Sequence, residues 1–225
     1  MDASPTAWEP LPLLERRILG VLVEKQKTSK SSESYPLSLN SLTTGCNQKS
    51  NRDPVLDLDE VEVEEGIEVL QKKNLVMRLT GGRVDRFKHE LYEKWTRHGA
   101  QMAVLAELLL RGPQTKGELR IRAGRMDPID TQDALEEVLK PLVERGLAVY
   151  LTDPDRRGAI VTHGFHAADE LTRLKAHHAS GMALEEVAAP RAAAPPPNEI
   201  AELKTRVSAL ESQVAELRKQ LGLES

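Results

Sequence analysis

The sequence is poor in the residues that anchor many folds. Of 225 residues, two are Trp, three are Tyr and two are Phe, so aromatics make up 3%. A core must then be built mainly from Leu, Val, Ile and Ala, which favours small helical domains over a large sandwich. There is one cysteine, Cys46. A single thiol excludes a disulfide within the chain and a cysteine-based zinc site, and it suits a reducing compartment. No apolar run approaches the roughly 18 residues that a membrane span needs. The opening stretch MDASPTAWEPLP lacks a basic region followed by an apolar core, so it does not read as a signal peptide. The expectation is a cytoplasmic protein with no membrane partner. Neither GxxxxGK nor GxSxG occurs, which removes the common phosphate cradle and the nucleophile elbow.

What is present is ordinary for a globular chain: 40% hydrophobic residues, 29% charged, and a formal net charge of -4. An acidic balance does not advertise nucleic-acid binding, although a locally basic module fits inside an acidic chain.

Taken in order, residues 1–10 are polar with two prolines and read as a flexible N-terminus. From Pro12 onward, Leu14, Ile18, Val21 and Leu22 mark an amphipathic helix to about Lys27. A polar loop leads to Tyr35-Pro36, which favours an extended entry. A short helix over about Ser38–Cys46 follows, with Ser38 or Asn40 as its cap. NQKSNRDP is a turn cluster with two cations, Lys49 and Arg52. The next helix spans about Leu58–Lys73, capped by Asp57 or Asp59, with Val63, Ile67 and Leu70 inward and Asn74 as its left-handed terminator. Two short strands around Gly81-Gly82 then predict a hairpin with a tight primed turn. Helix, helix, helix and hairpin is the order of a winged helix.

The same order recurs. A helix over Gln101–Leu110 stops at Arg111-Gly112-Pro113. Thr115 caps a short helix, and Thr131 caps a third through Arg145, with Leu135, Val138, Leu139 and Leu142 inward. Pro141 should bend that helix near Glu137. Gly146 then terminates it and a second hairpin follows. An offset of 72 residues lays VLQKKNLVMRL (69–79) on PLVERGLAVYL (141–151). The reading is therefore α+β, mainly α with small β-hairpins: two tandem winged-helix domains, 11–95 and 96–180. A closing helix covers 164–182. Residues 181–198 are Ala/Pro-rich and read as a linker. In 199–222, Ile200, Leu203, Val207, Leu210, Val214, Leu217 and Leu221 form a strict heptad seam. β-branched residues at a and Leu at d favour a parallel two-stranded coil, hence a homodimer.

The candidate nucleic-acid contacts are the exposed-looking cations: Lys49 and Arg52 in the turn; Arg78, Arg83, Arg86 and Lys88 in the first hairpin; Lys116, Arg120, Arg122 and Arg125 on and after the second short helix. The competing reading is that Asn47, Asn51 and Asp53 fasten the turn, with Arg52 in a buried or half-buried ion pair. The third helix opposes its usual role in the DNA groove. DLDEVEVEEGIEVLQKK (57–73) carries seven acidic residues before any cation, and phosphates would repel it. His163, His166, His177 and His178 match no zinc spacing. Cys46 continues an apolar face and reads as a buried hydrophobe. No metal, cofactor or catalytic residue is expected, and the chain reads as no enzyme.

The stretches YPLSLNSLTTGCNQKSNRDPV (35–55) and RGPQTKGELRIR (111–122) closely resemble the YceH-like family of bacterial proteins, a domain of unknown function, over about residues 11–175. The resemblance implies two winged-helix domains and carries no activity with it. The expectation is a DNA-binding or transcription-regulating homodimer. The alternative is a protein-interaction adaptor that uses the acidic helix faces and binds no DNA.

Overall fold

The computed structural model describes residues 8–29 and 34–187, with side chains to Ala179. Residues 1–7 and the heptad seam 199–222 lie outside the described residues, as does the expected linker beyond Val187. The described residues up to Ala179 form one compact unit.

The first half contains α1 (Leu13–Thr28), β1 (Leu37–Ser38), α2 (Leu39–Cys46), α3 (Glu60–Lys72), β2 (Val76–Leu79), β3 (Arg86–His89) and a short α4 (Leu91–Lys94). The second contains α5 (Gly99–Arg111), β4 (Gln114–Thr115), α6 (Lys116–Ala123), α7 (Gln132–Glu144), β5 (Ala148–Tyr150) and β6 (Ile160–His163). Helix α8 (Ala168–Val187) closes the described chain and runs into the stretch expected to be linker. Each half carries an antiparallel three-stranded sheet, ordered β1-β3-β2 and β4-β6-β5. The class is α+β. No described helix is long and apolar enough to cross a membrane.

Local chemistry explains the boundaries. Ser38 caps α2 by accepting from the Ser41 amide, and Thr131 caps α7 by accepting from Ala134. Asp59 and Glu62 close a reciprocal box at the start of α3, as Thr115 and Glu118 do for α6. The helix-to-hairpin junction repeats bond for bond. Asn74 and Gly146 sit at φ 55° and 67°. The Leu75 amide donates to Leu70 O at 2.8 Å, and Leu147 donates to Leu142 O at 2.8 Å. Both junctions use the left-handed terminator that satisfies the last carbonyls of a helix.

Two expectations need correcting. The first hairpin is not tight: β2 ends at Leu79 and β3 starts at Arg86, and of the two glycines only Gly81 takes positive φ. The cross-strand pairs Leu79–Arg86 and Met77–Lys88 set a longer tip, residues 80–85. The N-terminal stretch is also not wholly loose. Trp8 donates its indole N–H to Arg145 O at 2.7 Å and packs edge-on against Phe165, and the Leu11 amide donates to Phe165 O at 3.0 Å. Helix α7 continues through Pro141 to Glu144.

The two halves share one core. Helix α5 is buried from Met102 to Leu110 and lies against α1. Gly20 makes the approach possible, because a Cβ there would meet Leu110 at 2.8 Å. Trp95 stacks on Phe165 with ring centroids 4.5 Å apart.

Candidate functional site

The turn that follows α2 is built from the inside. Asn47 closes it by accepting from the Leu58 amide (2.9 Å) and donating to Leu58 O (2.7 Å). Two arginines hold it from below. Arg17, fully buried on α1, donates to Cys46 O at 2.9 Å and to Pro54 O at 2.5 Å. Arg52 donates to Glu24 at 2.6 and 3.3 Å, to Gln48 at 2.9 Å and to the carbonyls of Gly45 and Asn51. Its side chain has no exposed surface. Burial works against the Glu24 carboxylate, but the hydrogen bonds and charge of Arg52 outweigh it and hold the group below its ordinary range. Arg52 is therefore the fastener of the turn, and burial removes it from the phosphate contacts proposed for it.

This turn is also the bridge between the halves. The Asp53 amide donates to Leu110 O at 3.0 Å, and Arg111 donates to Asn51 Oδ1 at 2.6 Å. The stretches 35–55 and 111–122 thus meet in space. Buried Glu107 faces Arg111 at 2.9 Å and Arg125 at 3.3 Å; burial lifts its carboxyl above the usual range despite both cations. Burial pushes the Cys46 thiol up to about 12, which leaves it inert at neutral pH.

Most of the remaining candidate cations have internal partners. Arg78 pairs with Asp85 and Glu64 and lies over the Phe87 ring. Arg86 donates to Pro36 O and Lys88 pairs with Glu90. Lys116 pairs with Glu136, Arg120 donates to the carbonyls of Ile129 and Asp130, Arg122 pairs with Glu118 and Arg125 with Glu107. Lys49 and Arg83 are exposed and have no partner among the described residues. The ten cations are carried by the turn, the first hairpin and the α6 region.

The solvent side of α3 carries Glu60, Glu62, Glu65 and Glu68, all exposed. Between them Val61 is 65% exposed and Val69 38% exposed. On β2 and its tip, Met77, Leu79 and Val84 are also exposed.

A cleft of about 410 Å³ opens beside the bridging turn. Its walls include Leu13, Leu109 and Leu174, with Asp53 and Arg111 from the bridge and Arg16, His163, His166 and Glu170 on the opposite side. Arg16 donates to Glu170 Oε1 at 3.0 Å from both terminal nitrogens and reaches His166 Nδ1 at 2.9 Å. The two imidazoles stack with centroids 3.9 Å apart. Burial, with the neighbouring His166 and Arg16, drives His163 well below the ordinary histidine range, so the ring is neutral. Among the described residues no group of three or more His, Cys, Asp or Glu is arranged to hold a metal. Sequence reasoning considered His163 and His166 only as metal ligands and missed Arg16 and Glu170. Strand pairing makes His163 the counterpart of His89: Val76 pairs with His89 and Ala148 with His163, whereas the 72-residue offset puts His89 on Val161.

The family model described as "Protein of unknown function, DUF480" matches residues 11–158. Among the relatives, a UPF0502 protein of Geotalea daltonii is 51% identical over 146 residues, covering 64% of this chain and 66% of the relative. A UPF0502 protein of Geotalea uraniireducens is 43% identical over 208 residues, covering 90% and 87%. Another, from Hahella chejuensis, is 39% identical over 220 residues, covering 94% and 95%. Both stretches quoted above fall within the matched residues, and the chain belongs to the DUF480 (UPF0502) family.

Proposed function

We propose that the chain is a non-enzymatic tandem winged-helix module that docks a protein partner on the outer face of α3. The observation that carries this reading is the surface of that helix. Exposed Glu60, Glu62, Glu65 and Glu68 surround exposed Val61 and Val69. In a winged helix this element would enter the major groove, where a row of carboxylates meets phosphate repulsion. The same row, with apolar residues between, suits a partner that presents cations around an apolar ridge. Eight of the ten candidate cations already spend their charge or donors inside the fold, which weakens a DNA interface further. The test is capture of partners from cell extract by the full chain, with and without nuclease, repeated with Val61→Asp plus Val69→Asp. Capture that survives nuclease and is lost in the double variant supports the reading. Capture abolished by nuclease sinks it.

One observation favours the DNA reading in second place. Arg83 stands exposed at the first hairpin tip, where a winged helix contacts the backbone or minor groove. On this reading Arg83→Ala with Arg86→Ala weakens duplex binding and flattens its dependence on salt. Homodimer formation through Ile200, Leu203, Val207, Leu210, Val214, Leu217 and Leu221 belongs to the same proposal and rests on their heptad spacing. Leu210→Lys with Leu217→Lys in the full chain should lower the sedimenting mass from dimer to monomer; an unchanged mass refutes the seam.

A further inference from the structure

The equivalent histidines of the two hairpins differ in one respect. His89 ends β3 and His163 ends β6. Each accepts a hydrogen bond at Nδ1 from the amide two residues on: Leu91 N at 3.3 Å and Phe165 N at 3.2 Å. Each neutral ring therefore carries its proton on Nε2, since the other tautomer would leave a buried amide without an acceptor. The Nε2–H of His89 finds Gln26 Oε1 at 2.7 Å. The Nε2–H of His163 faces a guanidinium nitrogen of Arg16 at 3.3 Å, which is a second donor. Arg16 Nε is also buried without a hydrogen-bond partner. Two buried N–H donors, on side chains that both line the cleft, thus lack an acceptor. Each unmade buried hydrogen bond costs about 1–3 kcal/mol.

The charges of the cleft point to what would supply it. Arg16 is matched by Glu170 and Arg111 by Glu107. The carboxylate of Asp53, also in the lining, is exposed; it faces the charge of buried Arg17 but has no side-chain hydrogen bond among the described residues. The site therefore offers unpaired donors, one exposed carboxylate without a side-chain hydrogen bond and a leucine-lined wall. Its volume falls at the small end of the roughly 300–1,000 Å³ typical of small-molecule sites. A simple anion would complete the donors but be repelled by Asp53 and Glu170. We propose that this cleft binds a small zwitterion with an apolar body, of the class of the free α-amino acids. The ligand carboxylate accepts from Arg16 Nε and His163 Nε2, the ammonium group meets Asp53, and the side chain lies on Leu13, Leu109 and Leu174.

The experiment is titration calorimetry and thermal shift on the full chain with L-leucine, L-valine, L-methionine and L-phenylalanine. The controls are leucinamide, 4-methylpentanoate and inorganic phosphate. At least one amino acid should bind saturably and raise the melting temperature. For leucine as binder, leucinamide and 4-methylpentanoate, each missing one charged end, should bind at least about tenfold more weakly, the factor for about 1.4 kcal/mol. Asp53→Asn, which removes no hydrogen bond inside the fold, should weaken the amino acid about tenfold and bind 4-methylpentanoate no more weakly than the parent does. The proposal is overturned if no amino acid binds saturably. It is equally overturned if phosphate or 4-methylpentanoate matches the best amino acid, or if Asp53→Asn binds as the parent does.

Discussion

The two halves of this chain share a plan and differ in their connections. An offset of 72 residues carries α3 onto α7, Glu60 to Gln132 and Lys72 to Glu144. The terminators, the junction hydrogen bonds and the sheet orders agree. The connection between the second and third helices does not. It spans 47–59 in the first half and 124–131 in the second. The longer one reaches across to α5, through Asp53 to Leu110 and Asn51 to Arg111. Its extra residues therefore join the halves and form one wall of the cleft. The shorter connection reaches the other half by one side chain, with Asp127 accepting from Lys27 at 2.9 Å, and Thr131 caps the next helix directly. A repeat keeps the residues that its own fold requires. Where one copy departs, the added residues serve contacts between copies or a site.

The bridging turn should be the most sensitive place to break this asymmetry. Arg52→Ala leaves Glu24 charged and buried, and losing one partner of such a pair typically costs about 3–5 kcal/mol. Urea denaturation should show that loss; a change below about 1 kcal/mol would mean that the turn is not held from inside. Acid comes next, through the paired histidines. Burial lowers His89 to about 4, against ~6.5 in an unfolded chain. The stability this group contributes is complete above ~6.5, declines as pH falls and is gone below about 4, a loss on the order of 3 kcal/mol. His163 shifts in the same direction. The urea midpoint should thus fall between pH 7 and pH 4.5, and less steeply in His89→Gln.

The caps should show a smaller effect in each half. Asp59→Ala and Thr131→Ala remove matched hydrogen bonds to the first turns of α3 and α7, each worth about 1 kcal/mol. Similar losses would show that the third helices depend equally on their caps. The smallest effect is at the first terminator. Asn74→Gly makes the first half like the second at φ 55° and should change stability by only a few tenths of a kcal/mol. Gly146→Ala at φ 67° should cost about 1 kcal/mol or more.

Helices and terminators were legible because their causes are local. Ser38, Asp59, Thr115 and Thr131 cap from positions adjacent to the apolar periodicity, and Asn74 and Gly146 mark where it stops. The width of the first hairpin was not legible: Gly81-Gly82 fits a tight turn, but register with β3 sets a wider tip. The role of Arg52 was legible as one of two readings, an ion pair at the turn, but its partner was not. Glu24, 28 residues earlier, is brought beneath it only by the fold. The His163 environment depends on Arg16, 147 residues away.

The sequence alone determined the α+β class, the repeat, the helix ends and the family, since propensity, periodicity and motif are read over a few turns of chain. The tertiary structure decided which charges are spent and which are free. It put Arg17 and Arg52 under the turn, joined the two stretches 35–55 and 111–122, and brought Arg16, His163 and Asp53 into one cleft. Burial and partnership are properties of distant residues made neighbours, and no local pattern encodes them.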